Sequence, residues 1–419
     1  MLSDLSCDNI DFNVAGKTVR GDYMTWRRNL WVLCVGVALS GASYTMVIPF
    51  LPLYLIELGV DQSNVAVWSG VIFSSTFLVA AVLAPYWGRK ADHLGKKRML
   101  IRAGICLSIS YFLGYLVRTP YELLGMRILQ GVANGFVPAA YSIVSSSSPE
   151  DKMGASLGFM QAGLLCGGIL GPLLGGTLSH LYGMRQSFVI SAGIIFLATL
   201  AAWWLVKEPK SVAPPKTSSI KEDIKAALSN RILVRLLLLL LLVQMTTMIL
   251  QPLITLYIAE LQGTLEGAEL KAGFVFGLTG VAGAVAAPIW GKVGQRISFF
   301  IVLVVTLAGA GIINSLQLFV DNLLQFSIIQ FVFGLFIAGV LPAINSMVVA
   351  NTDRDFRGRA FGLTTSASQL GSMFGPIFGG VISSLLGIQA VFVFTGVLLV
   401  GAAFFVWRSK HFKTESSLE

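Results

Sequence analysis

The chain has 419 residues, of which 55% are apolar and only 12% charged, about half the charged share of an ordinary globular protein. Mean hydropathy is +0.76 and the formal net charge is +9. The apolar surplus exceeds what a core needs and must face lipid, which excludes disordered, collagen-like and disulfide-rich secreted classes.

In chain order, about twelve apolar stretches of roughly 20 residues predict membrane-spanning helices. They cover 30–56, 66–87, 99–117, 122–147, 155–180 and 187–206, then 232–258, 271–291, 299–317, 324–350, 359–384 and 389–407. Residues 1–29 carry Asp4, Asp8 and Asp11, lack a cleavable signal pattern, and are expected to form a cytoplasmic tail. Between the sixth and seventh stretches, residues 207–231 hold Pro-Pro and Ser-Ser steps and many charges, the composition of a cytoplasmic linker with a short surface helix. The plan is an N-terminal six-helix bundle (30–206), a C-terminal six-helix bundle (232–407) and a cytoplasmic tail (408–419). The fold class is thus an all-α polytopic membrane protein with two pseudo-symmetric bundles.

The basic residues set the expected orientation. With the N-terminus inside, about 26 of the 30 Lys and Arg fall in cytoplasmic segments or at cytoplasmic helix ends. Arg118, Arg185 and Lys271 fall outside, and Arg127 lies within a helix. Both termini are expected in the cytoplasm. The positive charge is therefore a topology signal and not the mark of a nucleic-acid partner, since no basic face with interleaved aromatics exists.

The two halves repeat at an offset of about 203 residues. Pro49, Leu53, Tyr54, Glu57 and Leu58 pair with Pro252, Leu256, Tyr257, Glu260 and Leu261, and Pro85 and Gly88 with Pro288 and Gly291. One residue further in register, Gly154, Gly158, Gly171, Pro172 and Phe188 match Gly358, Gly362, Gly375, Pro376 and Phe392. Two like-oriented repeats related by an axis along the membrane normal are the plan of a large transporter class.

Three motifs carry chemistry. After the second span stands GRKADHLGKKR, Gly88 to Arg98. Gly88 and Gly95 permit a tight turn, Lys96 and Lys97 hold the loop at the basic face, and Asp92 suits the positive N-terminus of another helix. The second-half copy has Gln295 in place of the Asp, so a latch is expected in the first half alone. In the fourth span, Arg127, Gln130, Asn134, Pro138 and Tyr141 recur at steps of three or four and form one polar stripe. An Arg inside a membrane helix marks a functional site by default. The fifth span contains GGILGPLLGG, in which Gly167, Gly171 and Gly175 line one face, Gly176 follows, and Pro172 bends the helix.

These motifs resemble the signatures of the major facilitator superfamily. The first is similar to the loop whose Asp is held, in that family, to dock on the start of helix 11. The RILQG string (Arg127 to Gly131) looks like its second signature, and the glycine-rich string resembles that of its antiporter branches. WRRNL, IPFLPLY and GFVPAA, with SGASYTMVIPFLP in the first span, are similar to twelve-helix drug:proton antiporters of the MdtG type of bacterial multidrug exporter. The resemblance implies a bacterial inner-membrane exporter working by alternating access, monomeric, with protons as coupling ion and small amphiphilic molecules as substrates.

Other classes fit poorly. The string DFNVAGKT has Asp11 where a phosphate-binding loop needs glycine, and neither GxSxG nor HExxH occurs. No enzyme, cofactor or nucleotide drive is expected. Cys7, Cys34, Cys106 and Cys166 form no CxxC pair, and His93, His180 and His411 are scattered, so no metal site is expected. Candidate cavity residues besides the fourth-span stripe are Tyr44, Gln161, Gln244, Thr247, Gln251, Asn345 and Gln369. No carboxylate lies at mid-membrane in the twelve spans; Glu57, Glu122, Asp92 and His180 are the proton-carrier candidates, all at helix ends. The expected cavity is therefore neutral or locally positive. This leaves open an exporter of an anionic metabolite such as a polycarboxylate siderophore, or an uptake symporter.

Overall fold

The computed structural model describes residues 20–149, 152–208, 228–352 and 356–409, and all regular structure within them is helical. The expected tail, linker and C-terminal tail lie for the most part outside these residues, as do the side chains of Asp92 and His93. Helix 1 is Arg20–Met46 continued by Leu51–Glu57, so it begins within the stretch expected as tail. Helix 2 is Val65–Leu94, helix 3 Lys96–Leu116, and helix 4 Pro120–Ala133 continued by Phe136–Ser147. Helix 5 is Met153–Tyr182, helix 6 Met184–Leu205, and helix 7 Arg231–Leu250 continued by Leu253–Gln262. Helix 8 is Ala268–Arg296, helix 9 Phe299–Ser315, and helix 10 Leu323–Ile337 continued by Val340–Ala350. Helices 11 and 12 are Arg357–Leu386 and Ile388–Arg408.

Among the described residues, eleven segments are long and apolar enough to cross a membrane. Helix 4 falls short because the single span expected at 122–147 is divided. Gly135 adopts φ +130, outside the helical region, and Pro138 has no N–H for the carbonyl of Asn134 four residues earlier. Helices 1, 7 and 10 are interrupted at equivalent places, each beside a proline: Pro49, Pro252 and Pro342. These are the first and fourth helices of each half.

Both described ends of the chain lie on one side of the bundle, here the terminal face; the opposite side is the far face. Large apolar side chains cover the outside. Trp204 is 76% exposed, Leu385 75% and Val82 68%. Trp203, Trp204 and Trp407 stand at the terminal ends of helices 6 and 12, the interfacial position that suits an amphipathic ring.

The repeat is present in equivalent hydrogen bonds of the two halves. The Tyr54 hydroxyl donates to the carbonyl of Gly114 at 3.2 Å, and the Tyr257 hydroxyl to that of Gln317 at 3.3 Å, each across 60 residues. Thr76 donates to the Arg127 carbonyl and Thr279 to the Gln330 carbonyl, each across 51 residues. Helix 5 packs on helix 1 as helix 11 packs on helix 7. Gly167, Gly171 and Gly175 sit on backbone of Ala38, Ala42 and Met46, while Gly371, Gly375 and Gly379 sit on Leu241, Met245 and Ile249.

The halves meet along helices 2 and 11 and along helices 5 and 8. Gly70 and Gly380 bring helix 2 against helix 11 at Pro376 and Ala66; Gly273 and Gly176 bring helix 8 against helix 5 at Pro172 and Glu269. All these contacts belong to the far halves of the helices. The cores agree. Toward the far face the two apolar clusters interleave, with Leu256 and Phe276 packed against the first half and Leu53 and Ala66 within the cluster of the second. Toward the terminal face the clusters share no residue: one draws on residues 30–206 and the other on residues 232–406. The structure is closed at the far face and divided at the terminal face.

Candidate transport cavity

A cavity of about 580 Å³ lies where the halves part at the terminal face. Helix 2 contributes Trp87 and Gly88, helix 3 Lys96 and Arg102, helix 4 Asn134 and Pro138, and helix 11 Thr365, Ser366 and Gln369. Small and apolar side chains, among them Ala80, Ala84, Met99 and Leu370, complete it.

Arg102 organises its wall. The interruption of helix 4 frees carbonyls that the regular ladder would use. The Arg102 guanidinium donates to Val132 O at 3.3 Å and Asn134 O at 3.0 Å, and lies flat over Trp87, 3.6 Å from the ring centroid. Its Nε and the Trp87 Nε1 are buried with no acceptor among the described residues. The Lys96 ammonium donates to Ser142 O at 3.2 Å. The described wall thus carries two cations and no carboxylate, and it combines apolar area with N–H donors.

Arg127 takes a different place. It is only 1% exposed, donates to Gln130 Oε1 at 3.1 Å, and sits over Phe73 at 5.4 Å. Its Nε and second terminal nitrogen find no acceptor among the described residues. The second half resolves the equivalent position without charge. Gln330 donates to Gln317, Gln317 to Asn314, and Asn314 to Thr395 and the Phe392 carbonyl, a closed chain of amides. A buried guanidinium with incomplete hydrogen bonding costs several kcal/mol, and only one half of the repeat carries it.

The expected polar stripe of helix 4 is therefore cut at the break. Asn134 and Pro138 line the cavity, while Arg127 and Gln130 are buried inside the first half. Gln369 lines the cavity from helix 11. Tyr141 donates to Gln161 at 2.9 Å, joining helices 4 and 5 away from the cavity wall. Tyr44 packs edge-on against Phe77. Gln244 packs against Gly371, Thr247 donates to its own helix, and Gln251 stands at the interruption of helix 7. Asn345 is exposed on the second segment of helix 10. None of these five lines the cavity.

Of the expected latch, Gly88 and Lys96 reach the cavity wall, and Gly95 turns helix 2 into helix 3 at φ +97. Lys97 begins helix 3 partly exposed. The Glu208 carboxylate accepts the Lys96 backbone N–H at the helix 3 start. The helix-end carboxylates are satisfied locally: Glu122 accepts the Arg118 N–H at 2.7 Å, and Glu57 pairs with Arg185 at 3.6 Å.

Two residues of the structure are not marked by the sequence patterns. Arg102 reads there only as one of the basic residues of a helix end. Glu269 lies outside the expected span 271–291, yet helix 8 begins at Ala268 and Glu269 is 7% exposed. The signals were present: an Arg within an apolar run, and an acid directly before the eighth span.

Two repeated six-helix halves, interrupted first and fourth helices and a cavity at the seam define a multi-pass membrane transporter and not an enzyme. The sequence profile of the Major Facilitator Superfamily matches residues 33–313 and 236–418. The chain is 33% identical over 387 residues to the multidrug resistance protein MdtG of Yersinia enterocolitica, covering 92% of this chain and 94% of that one. It is 34% identical over 388 residues to MdtG of Salmonella arizonae, covering 92% and 96%. A bacterial homolog of the human lysosomal transporter Spinster, in an inward-facing and occupied conformation, superposes with TM-score 0.79 at 17% identity, covering 96% of this chain and 99% of that one. The nucleoside transporter NupG superposes with TM-score 0.76 at 15% identity, covering 90% and 99%. The chain belongs to the major facilitator superfamily.

Proposed function

We propose that the protein is a bacterial inner-membrane exporter that moves amphiphilic small molecules, drugs among them, out of the cytoplasm by alternating access, in exchange for protons. The observation that carries this reading is the cavity of about 580 Å³ at the terminal face beneath a closed far face, in a chain related over 92% of its length to multidrug resistance proteins. In this reading the terminal face, where the basic residues cluster, is cytoplasmic. The two bundles act as rocking halves around the cavity within a single monomer, and residues 207–231 link them. Asp92 latches the terminal face in the opposite state, at the turn formed by Gly95 and Lys96.

The cavity also narrows the substrate class. Apolar area and the Trp87 ring hold an amphiphilic body, while Lys96, Arg102, Asn134 and Gln369 hold acceptors. A lone cation would find no carboxylate among the described wall residues to offset its desolvation. Neutral and anionic amphiphiles fit better. The two cations of the wall favour, as a second reading, export of an anionic metabolite such as a polycarboxylate siderophore. Deleting the gene should lower resistance to neutral or anionic compounds or reduce siderophore secretion under iron limitation. A deletion strain unchanged in both respects would refute the reading.

A further inference from the structure

Glu269 is the one buried carboxylate among the described side chains, and it lies on the seam between the halves. Its Oε1 is 3.2 Å from Nδ1 of His180, at the far end of helix 5. Two ion pairs occur among the described residues; Glu57 with Arg185 stays within the first half, while His180 with Glu269 joins the two. The glycine-rich string of helix 5 makes the approach possible, because Gly176 rests on the Glu269 backbone and leaves no room for a side chain.

The equivalent contact between helices 2 and 11 carries no such pair among the described residues. Gly380 rests on Ala66 as Gly176 rests on Glu269, and the repeat offset places Ser384 and Ala66 where this seam has His180 and Glu269. A titratable pair has therefore been set into one of two equivalent contacts. Other charged groups near it are engaged or turned to solvent: Lys271 of helix 8 donates to Gln262, Glu260 of helix 7 and Glu266 of the adjoining loop are exposed, and Arg185 of helix 6 pairs with Glu57.

We propose that Glu269 is a proton-binding group of the far face and that its bond to His180 is the contact protonation releases. With the carboxylate ionised, the imidazole N–H donates to it and helices 5 and 8 are held together. A proton placed on Glu269 removes the negative partner of this contact. A proton arriving from the far side thus favours opening of that side. The inference rests on alternating access but not on any assignment of substrate.

The test is a distance measurement on the full-length protein in lipid nanodiscs. Its native cysteines are replaced by serine, and spin labels are placed at Gln62→Cys and Leu265→Cys, both exposed, on the two sides of the far-face seam. Lowering the pH from about 7.5 to about 4.5 crosses the ordinary imidazole and carboxylate ranges. It should raise the ratio of long to short distances by about tenfold, the effect of losing one charge-assisted hydrogen bond. Glu269→Gln should show the long distance already at the higher pH and respond less than about twofold to acid. His180→Ala, at an exposed position, removes the donor altogether; it should open the far face in the same direction and serves if the first variant folds poorly. A wild-type distribution unmoved by pH, or an acid response retained in full by Glu269→Gln or His180→Ala, would overturn the proposal. Absence of amphiphile transport by the wild-type protein, with these distances behaving as expected, would instead count against the exporter reading.

Discussion

Arg102 of helix 3 donates to the carbonyl of Asn134 in helix 4 at 3.0 Å, the carbonyl that Pro138 leaves without its usual N–H. One side chain thus repairs the break of helix 4 and forms part of the cavity wall. Truncation by Arg102→Ala strands two carbonyls in a low-dielectric setting, at roughly 1–3 kcal/mol each. The variant should lose most transport and melt several degrees lower. Arg102→Lys keeps the charge but not the planar fork, so it should fold near normally and transport poorly. Full transport by the alanine variant would remove Arg102 from the site.

Arg127→Gln copies into the first half the residue that the second half uses at Gln330. Removal of a buried, incompletely bonded charge should leave thermal stability equal or higher, by up to a few kcal/mol. Transport should be abolished if the charge serves the cycle. The pairing of greater stability with lost transport separates a functional charge from a packing one. Reduced stability with intact transport, measured by melting and by uptake in vesicles, would assign Arg127 to packing.

The glycines of helix 5 differ in what surrounds them. A methyl at Gly168 meets nothing within 4 Å, whereas one at Gly176 meets the Glu269 carbonyl across the seam. Gly168→Ala should be neutral or stabilise the helix by about 1 kcal/mol. Gly176→Ala should weaken far-face closure, seen as a longer distance between labels at Gln62→Cys and Leu265→Cys, with little effect on the fold of either half. Equal distances in both variants would contradict the role given to Gly176.

Much of the fold was legible in the sequence, because each span must be apolar for about 20 residues and the repeat offset preserves Gly and Pro where backbones touch. The helix breaks were less legible. Pro138 and Gly135 were visible, but hydropathy runs smoothly across them, and only the carbonyl ledger of the folded bundle shows that Arg102 must be there. Glu269 escaped because a hydropathy window ends a span at the first acid, while helix 8 starts earlier and buries that acid against helix 5. The stripe through Arg127 and Asn134 assumed an unbroken helix 4. The break divides it between the core and the cavity.

The central claim is export of neutral or anionic amphiphiles from the terminal face, driven by protons. It is tested most directly in everted membrane vesicles, which turn the cytoplasmic face outward, by following uptake of a neutral naphthylamine dye, an anionic amphiphilic dye and ethidium under an acid-inside gradient. The account predicts uncoupler-sensitive accumulation of the neutral or the anionic dye, absent in vesicles from cells lacking the protein, with little change for ethidium. Strong uncoupler-sensitive accumulation of ethidium, with neither of the other dyes moved, would contradict it.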